Sequence, residues 1–284
     1  MKKSLLLLSI GLFAVTRTVL ADDVSGIVTA RLVKPDGQTT AFVFVDAAKP
    51  NVAVTAVGVD AAALVPRNQI KLSGTPADGA FGAGLQVKAG SVVIEETNKP
   101  FRSQPIMASA FKDASASAGI YVQLAGVTFA ADKFDNSGNA QVKAEDGSTI
   151  SLLVSKGVSG RATPKGVNDV FGVVVKSGGE WKLAAARFLP ANRKAMVDLA
   201  TKATCIACHN PDTKVVGPSY RDVAASYRND AAAAEKLVTQ MQNGGTGKWG
   251  IVPMPPLKAT VQPDDMQKLA DWVLSYRWDA LLAE

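Results

Sequence analysis

The sequence predicts a multidomain protein in which an N-terminal all-β region precedes an all-α domain. Short runs rich in Val and Ile, separated by Gly, Pro, Asp and Asn, extend from residue 22 to about residue 190. From Ala191 onward, apolar residues recur with the 3.6-residue period of an amphipathic helix. With 284 residues, of which 47% are hydrophobic and 20% charged, the chain is long enough for two or three globular domains.

Two similar sets of strands divide the β region into β module 1 (residues 22–100) and β module 2 (residues 119–190). The predicted strands are 24–32, 40–45, 52–57, 69–73 and 84–94 in module 1, and 120–130, 139–144, 149–154, 170–175 and 181–188 in module 2. A more irregular or helical stretch precedes the fourth strand of each set. The segment 101–118, rich in Ser, Ala and Lys, is predicted to be a linker or a short helix.

The similar length and rhythm of the two sets suggest a tandem duplication. Residues 70–74 (Ile-Lys-Leu-Ser-Gly) compare with residues 170–174 (Val-Phe-Gly-Val-Val). Five strands with an insertion before the fourth resemble the small OB-type barrel, so two OB-like modules are expected. Two halves of a larger β-sandwich are the alternative.

Four amphipathic helices are predicted within residues 191–284. Their apolar stripes are Met196, Leu199, Ala200 and Ala203; Tyr220, Val223, Ala224 and Tyr227; Leu237, Val238 and Met241; and Met266, Leu269, Ala270, Val273 and Leu274. Asp230 is predicted to cap the third helix and Gly244 to end it, while Pro263 suits the first turn of the fourth. These helices are short and carry few large apolar side chains, so another group must supply buried bulk.

The first 21 residues have the pattern of a cleaved secretory leader. Lys2 and Lys3 form its positive start, residues 5–15 its apolar centre, and Ala21 is the small residue before the expected cut. An uncleaved anchor is the alternative, but the apolar run is shorter than the roughly 20 residues that span a bilayer, and Arg17 interrupts it. We therefore expect a periplasmic protein without stable membrane insertion.

Cleavage also changes the charge balance. Three of the 31 basic residues lie in the leader, which carries no acidic residue, so its removal lowers the formal net charge from +6 to +3. This mild excess, with only 6% aromatic residues, argues against nucleic acid as a partner.

The only two cysteines lie three positions apart, in Cys205-Ile206-Ala207-Cys208-His209. This is the C-x-x-C-H pattern of covalent haem attachment. The spacing lets both thiols reach the two vinyl groups on one edge of the macrocycle, and the next side chain then projects toward the iron. We therefore predict one haem c, bonded to Cys205 and Cys208 and ligated by His209.

Two other uses of the cysteine pair fit less well. A thioredoxin-type dithiol belongs at a helix start beside a βαβ pattern, which this sequence lacks. A zinc site needs four ligands, and the chain has no second cysteine pair and only one histidine.

The second axial ligand is predicted to be Met254. Because His209 is the only histidine, two histidines cannot hold the iron within this chain, and a methionine thioether is the usual partner. Met254 lies in a proline-rich segment, Pro253-Met254-Pro255-Pro256, that cannot be helical and holds the thioether on a stiff loop. Met196, Met241 and Met266 lie on helical stripes and Met107 in the linker, so these methionines are poorer candidates.

The last third of the chain closely resembles the short monohaem class I bacterial cytochromes c, of the cytochrome c-551 kind. The resemblance rests on the C-x-x-C-H motif together with Asp-Thr-Lys at 212–214, Val-Gly-Pro-Ser-Tyr at 216–220, Gly-Lys-Trp-Gly at 247–250, Pro-Met-Pro-Pro at 253–256 and Trp-Val-Leu at 272–274. It implies a class I cytochrome c domain at residues 191–284 with Met254 as distal ligand. It also implies that the Pro218 carbonyl accepts the imidazole N–H of His209 and that the Trp249 indole donates to a haem propionate.

Two positions depart from the family pattern. The family often has Asn after the two prolines, close to the methionine sulfur, whereas this chain has Leu257. The tail 276–284 extends past the usual family end.

A six-coordinate haem leaves no position for a substrate, so the sequence predicts a single-electron carrier rather than an enzyme, alone or as a subunit of an oxidoreductase complex. Its partners would be periplasmic redox proteins, and the β region would dock one of them. A haem-based sensor of a small ligand, reported by the β modules, is the alternative. OB-like modules that bind an oligonucleotide or oligosaccharide are a third reading.

Overall fold

Two β modules and a helical domain follow one another in the computed structural model, which describes residues 23–45 and 50–282. The predicted leader, with its cleavage site after Ala21, lies outside these residues. Within the described ranges, no helix is long and apolar enough to cross a bilayer.

Module 1 is a ring of five paired strands. Its elements are β1 (Asp23–Val33), β2 (Thr39–Phe44), β3 (Val52–Ala56), helix α1 (Gly58–Ala63), β4 (Gln69–Gly79), β5 (Gly82–Val87) and β6 (Val93–Glu96). Antiparallel pairing joins β1 to β2 and β4, β2 to β3, and β4 to β5, while β3 and β5 are parallel. The ring order is therefore β1-β2-β3-β5-β4 and back to β1, and β6 adds to β4.

Module 2 repeats this ring. Its strands are β7 (Gln104–Ile106), β8 (Tyr121–Phe129), β9 (Asn139–Lys143), β10 (Thr149–Leu153), β11 (Asn168–Ser177) and β12 (Glu180–Pro190). The ring order is β8-β9-β10-β12-β11 and back to β8, with β10 and β12 parallel. The extra strand differs, because β7 pairs in parallel with the first strand of the ring.

The pairing register supports a repeat of 98 residues. Ala53 pairs with Gly84, and Ser151 with Lys182, which lie 98 residues further along in both strands. The β4–β5 and β11–β12 hairpins follow the same shift. The comparison of residues 70–74 with 170–174 was therefore misaligned by two residues, because it used a shift of 100.

A pair of buried glycines marks the same repeat. Gly74 pairs with Val87, and Gly172 pairs with Ala185 at the equivalent place in module 2. At both positions the opposite strand comes so close that a Cβ would clash with a carbonyl oxygen, at 2.8 Å for Gly74 and 2.2 Å for Gly172. Glycine is required there by the close approach of two backbones.

The two modules pack against each other through an apolar face. Leu32 and Phe42 of module 1 share a buried cluster with Tyr121 and Val173 of module 2. At its edge the buried Ser155 hydroxyl accepts from the main-chain N–H of residue 33 and donates to the carbonyl O of residue 31, at 3.1 Å each. The β region is thus one packed unit of two rings.

Three local expectations differ from the structure. The single strand predicted at 84–94 is two strands, β5 and β6, separated by a turn. Residues 76–79 (Pro-Ala-Asp-Gly) have the composition of a turn, which is what the sequence predicts there, but they lie inside β4, and the chain reverses between Gly79 and Gly82. The segment predicted as the linker 101–118 belongs to module 2, because it contains β7 and places Phe111 in the module 2 core.

The helical domain (residues 191–282) has five helices and one small hairpin among its described residues. They are α2 (Arg193–Lys202), α3 (Tyr220–Ser226), α4 (Ala233–Asn243), β13 (Gly245–Gly247), β14 (Gly250–Met254), α5 (Pro263–Ser275) and α6 (Arg277–Leu282). Pro263 opens α5 and Gly244 follows α4, as predicted. Asp230 does not cap α4, which begins at Ala233; its carboxylate instead accepts the Ala232 N–H at 2.9 Å.

Helix α6 lies outside the four predicted helices and leaves its own domain. Trp278, Leu281 and Leu282 are buried in the core of module 2. The Trp278 ring packs beside those of Phe134 and Phe188, at centroid distances of 5.7 and 6.1 Å. The tail that extends past the usual family end therefore completes another domain.

Candidate functional site

The predicted attachment motif forms a tight turn after α2. The segment Cys205–Ala207 is one turn of 3-10 helix, and the main-chain N–H groups of Cys208 and His209 both donate to the carbonyl O of Cys205, at 3.2 and 3.0 Å. Thr204, just before it, has a φ of 60°, a left-handed backbone that is uncommon for residues with a Cβ. Both cysteines are half-buried free thiols.

The environment of Cys205 does not suit a redox dithiol. Burial raises the pKa of its thiol, and the neighbouring Cys208 raises it further. Dithiols that exchange electrons instead depend on a lowered thiol pKa. The direction of the pKa shift at Cys205 is therefore opposite to that of a redox dithiol.

The imidazole of His209 is held from both sides. Its Nδ1 lies 2.7 Å from the carbonyl O of Pro218, the contact that the family resemblance implies. An N–H at Nδ1 would fix the tautomer and leave Nε2 for a metal ion. The Tyr220 ring stacks on the imidazole at a centroid distance of 5.7 Å and an angle of 21°.

Gly217 allows the loop to pass this close to the histidine. A Cβ at Gly217 would lie 2.3 Å from Cε1 of His209, so no larger residue fits without moving the ring. The main-chain N–H of Gly217 also donates to the carbonyl O of Cys208, at 2.8 Å. The segment from Cys208 to Pro218 therefore forms a closed loop around the histidine.

Met254 is the last residue of β14, on the hairpin with β13. It pairs with Gly245 and packs against the core of the helical domain, which Cys205 also contacts. Gly244, with a φ of 65°, lets the chain pass close by, because a Cβ there would lie 2.4 Å from the carbonyl O of Met254. The extended backbone agrees with the expectation that the proline-rich segment is not helical.

The other methionines have different surroundings. Met266 is buried, Met196 and Met241 pack against the core of the helical domain, and Met107 is 75% exposed. Leu257 is buried in that core as well, so an apolar side chain stands where the family often has Asn.

Trp249 lies on the surface of the hairpin and is 37% exposed. The Lys248 ammonium lies 5.3 Å from the centroid of its ring and 4.6 Å from that of Tyr227. An acidic group beside this ring, such as a haem propionate, would therefore meet the positive charge of Lys248.

The residues fit a covalent haem. The half-buried thiols, the imidazole fixed at Nδ1 and the thioether on a stiff strand are the donors that such a group needs. Exposed apolar side chains, namely Ile206, Val215, Val216, Ile251 and Val252, lie in the same three segments as these donors. Such a surface suits a small helical domain that gains its missing core from an apolar cofactor.

A helical domain with these donors and this loop is a small haem-binding domain. The cytochrome c family model matches residues 197–277. Cytochrome c-551 of Allochromatium vinosum is 50% identical over 76 residues, which are 27% of this chain and 80% of the relative. Cytochrome c-552 of Nitrosomonas europaea is 43% identical over 94 residues, which are 33% of this chain and 90% of the relative.

The crystal structure of wild-type Nitrosomonas europaea cytochrome c552 is 46% identical, and the match covers 28% of this chain and 98% of that chain, with a TM-score of 0.27. By these relatives the chain belongs to the cytochrome c family, a family that binds c-type haem covalently. The residues matched by the family model, 197–277, lie within the helical domain.

Sequence reasoning missed how the loop after His209 contacts both β modules. The Oδ1 atom of Asp212 lies 2.6 Å from Nη2 of Arg221, 3.0 Å from Nη1 of Arg67 in module 1 and 3.9 Å from Nη2 of Arg187 in module 2. Burial raises the pKa of Asp212, but Arg221 and then the charges of Arg67 and Arg187 outweigh it and lower the pKa to about 2. The only sequence signal was Asp212 in the Asp-Thr-Lys motif, because the partners lie far apart along the chain.

Proposed function

We propose that the protein is a periplasmic single-electron carrier with one c-type haem, and that its β region docks a redox partner. The observation that carries the proposal is the set of donors in one domain: two thiols and a fixed imidazole on one turn, and a thioether on a stiff strand. When bound, the haem supplies a one-electron Fe(III)/Fe(II) couple.

The chain's own residues would hold the iron on both sides. Cys205 and Cys208 would bond the haem, His209 would ligate through Nε2 and Met254 through its sulfur. The Pro218 carbonyl would keep the imidazole oriented, and the Trp249 indole would donate to a propionate. With both axial positions of the iron taken, no substrate could bind the metal, and the haem would only accept and donate electrons. This is consistent with homology to small cytochromes c.

We further propose that both β modules are OB-type barrels. Each closes five strands in the same order, with the third and fifth strands parallel, and module 1 has helix α1 before its fourth strand. A docking role is supported by ion pairs that join both modules to the loop after His209, because Arg67 and Arg187 both contact Asp212 in that loop. A partner bound to the β region would therefore meet the haem domain in one fixed orientation.

Location in the periplasm is supported by the leader pattern in residues 1–21. The single C-x-x-C-H motif supports one haem per chain.

Replacing Met254 tests the carrier function. In the full-length haem protein, Met254→Ala should lower the midpoint potential and open a coordination position that binds added CO, because the thioether no longer occupies it. The matched control is Met107→Ala, which removes an exposed methionine far from the motif and should change neither the potential nor CO binding.

An unchanged redox titration in Met254→Ala would show that another residue ligates the iron. If the unsubstituted protein itself bound CO readily, the sensor function would replace the carrier function. Haem that acid–acetone extracts from the unsubstituted protein would contradict covalent attachment.

A further inference from the structure

All three domains meet at one cavity, which we call the junction cavity. Its volume is about 650 Å³. Module 1 contributes Arg67, module 2 contributes Tyr121 and Arg187, and the helical domain contributes Asp212 and Arg221. A volume of this size is typical of sites for small organic molecules.

The charged side chains around the junction cavity do not balance. The lining contains Arg67, Arg102, Arg187, Arg193 and Arg221 against Asp169, Asp212 and Asp222, an excess of two positive charges. Three of the guanidinium groups share one carboxylate oxygen of Asp212. Asp169 already accepts hydrogen bonds from the Gln123 amide and the Gly126 N–H. A second anion would therefore relieve the repulsion among the arginines.

Arg67 is placed in the junction cavity at a conformational cost. Its φ of 76° lies in the left-handed region, as does the φ of 58° at Asn98, which lines the same cavity. The main-chain N–H of Arg67 donates to the Val28 carbonyl at 2.7 Å, and its Nη2 donates to the Asn98 carbonyl at 3.1 Å. Strain of this kind persists only where the surrounding structure enforces it, often at sites that bind ligands.

The Nε atom of Arg67 is a buried donor that is available to a ligand. Its side chain is 16% exposed, and its Nε is buried with no hydrogen-bond partner within residues 23–45 and 50–282. A guanidinium bonds an oxyanion best through two parallel N–H groups, and Nε is one of the donors that such a fork can use.

The junction cavity also has an apolar wall. The rings of Phe101 and Tyr121 pack edge to face at a centroid distance of 4.8 Å, and both residues line the cavity. An inorganic ion would leave this wall uncovered, whereas an organic group would bury it.

We propose that the junction cavity binds a small organic oxyanion, a molecule with one doubly charged phosphate-type group and an apolar body. The charged group lies among the arginines, where Arg67 Nε donates to it, and the body packs on Phe101 and Tyr121. None of the residues that line the junction cavity is a predicted haem ligand. Failure of this proposal would therefore leave the proposed electron-carrier function unaffected.

The test is calorimetric titration of the full-length haem protein with phenyl phosphate, inorganic phosphate and phenol as probes. Phenyl phosphate should bind at one site per chain and more tightly than phosphate, while phenol should show no binding. Arg67→Gln should weaken phenyl phosphate binding at least about tenfold, because it removes a charged hydrogen bond. Lys34→Gln, which removes an exposed basic residue of module 1 outside the junction cavity, is the matched control and should leave the affinity unchanged.

Two further variants separate binding from damage to the domain junction. Arg102→Gln changes an exposed lining residue outside the Asp212 cluster and should also weaken binding. Asp212→Asn removes the competing carboxylate and should tighten it, an effect opposite to that of simple destabilisation. Absence of phenyl phosphate binding at millimolar concentration, or equal losses in Arg67→Gln and Lys34→Gln, would overturn the proposal.

Discussion

Modules 1 and 2 share one ring of strands but fill it differently. The described core of module 1 is aliphatic and comes from its own strands, from α1 and from Leu64 directly after α1, together with Ile70, Leu72 and Leu85. The core of module 2 contains a group of aromatic rings, and α6, the last helix of the helical domain, contributes Trp278 to it. The same pairing order thus supports one self-contained core and one that depends on another domain.

The difference shows that strand topology and core composition are separable. The hairpin registers repeat with a shift of 98 residues, while the buried residues at matching places differ in size. The core of module 2 includes side chains of α6, and this contact ties the helical domain to module 2.

The largest effect is expected at the shared core. Trp278→Ala should destabilise module 2 by about 3–5 kcal/mol, because it deletes a buried indole that packs on Phe134 and Phe188. Chemical denaturation followed by hydrogen exchange of each module would measure the loss. Module 1 should keep its protection, and equal loss in both modules would show that they unfold as one unit.

A smaller effect is expected at the equivalent glycines. Gly172→Ala should cost about 2–3 kcal/mol, since a Cβ would lie 2.2 Å from the Ala184 carbonyl O. Gly74→Ala should cost less, about 1 kcal/mol, because the corresponding distance to the Gln86 carbonyl O is 2.8 Å. The denaturation midpoints of Gly172→Ala and Gly74→Ala, each compared with the wild-type protein, measure how closely the opposite strand approaches in each ring. A larger loss for Gly74→Ala than for Gly172→Ala would contradict the prediction.

An effect smaller than that of Gly172→Ala is expected at the contact of the helical domain with both modules. The pKa of Asp212 is lowered to about 2 from an ordinary value of 3.8, so its ionised form stabilises the folded state above pH 4. This contribution is lost as the pH falls from about 4 to 2. Allowing for partial exposure, it amounts to about 1–2 kcal/mol.

The measurement is unfolding of the wild-type protein and Asp212→Asn at pH 6 and pH 2. The two proteins should differ at pH 6 and nearly converge at pH 2, because the wild-type carboxyl is then about half protonated in the folded state and most of its stabilisation is lost. A constant difference would mean that the arginines do not depend on the charge of Asp212.

Much of this architecture could be predicted because its signals are local. Alternation of Val and Ile with polar residues located the ring strands, and the change of period at Ala191 located the helical domain. The split between β5 and β6 was missed because Val87 and Val92 flank the short segment 88–91 and resemble parts of one continuing strand. The role of residues 101–118 was missed because a three-residue strand has no periodicity to detect.

At the site, the spacing of Cys205, Cys208 and His209 predicts haem attachment, and the prolines beside Met254 predict the second axial ligand; both stay predictions. The 2.7 Å approach of Pro218 to the imidazole is what the resemblance implied. The ion pairs of Arg67 and Arg187 with Asp212 could not be predicted from the sequence, because they depend on how three domains pack. Likewise, nothing local in the tail 276–284 indicates that Trp278 enters a β module.

The insertion of α6 into module 2 sets an order of assembly. Trp278 follows the whole cytochrome domain in the chain, so module 1 has every residue of its core available first, while module 2 must wait for residues synthesised after the haem-binding segment. Until Trp278 is in place, the faces of Phe134 and Phe188 that it covers stay exposed. The core of module 2 is therefore completed only when the helical domain docks on it.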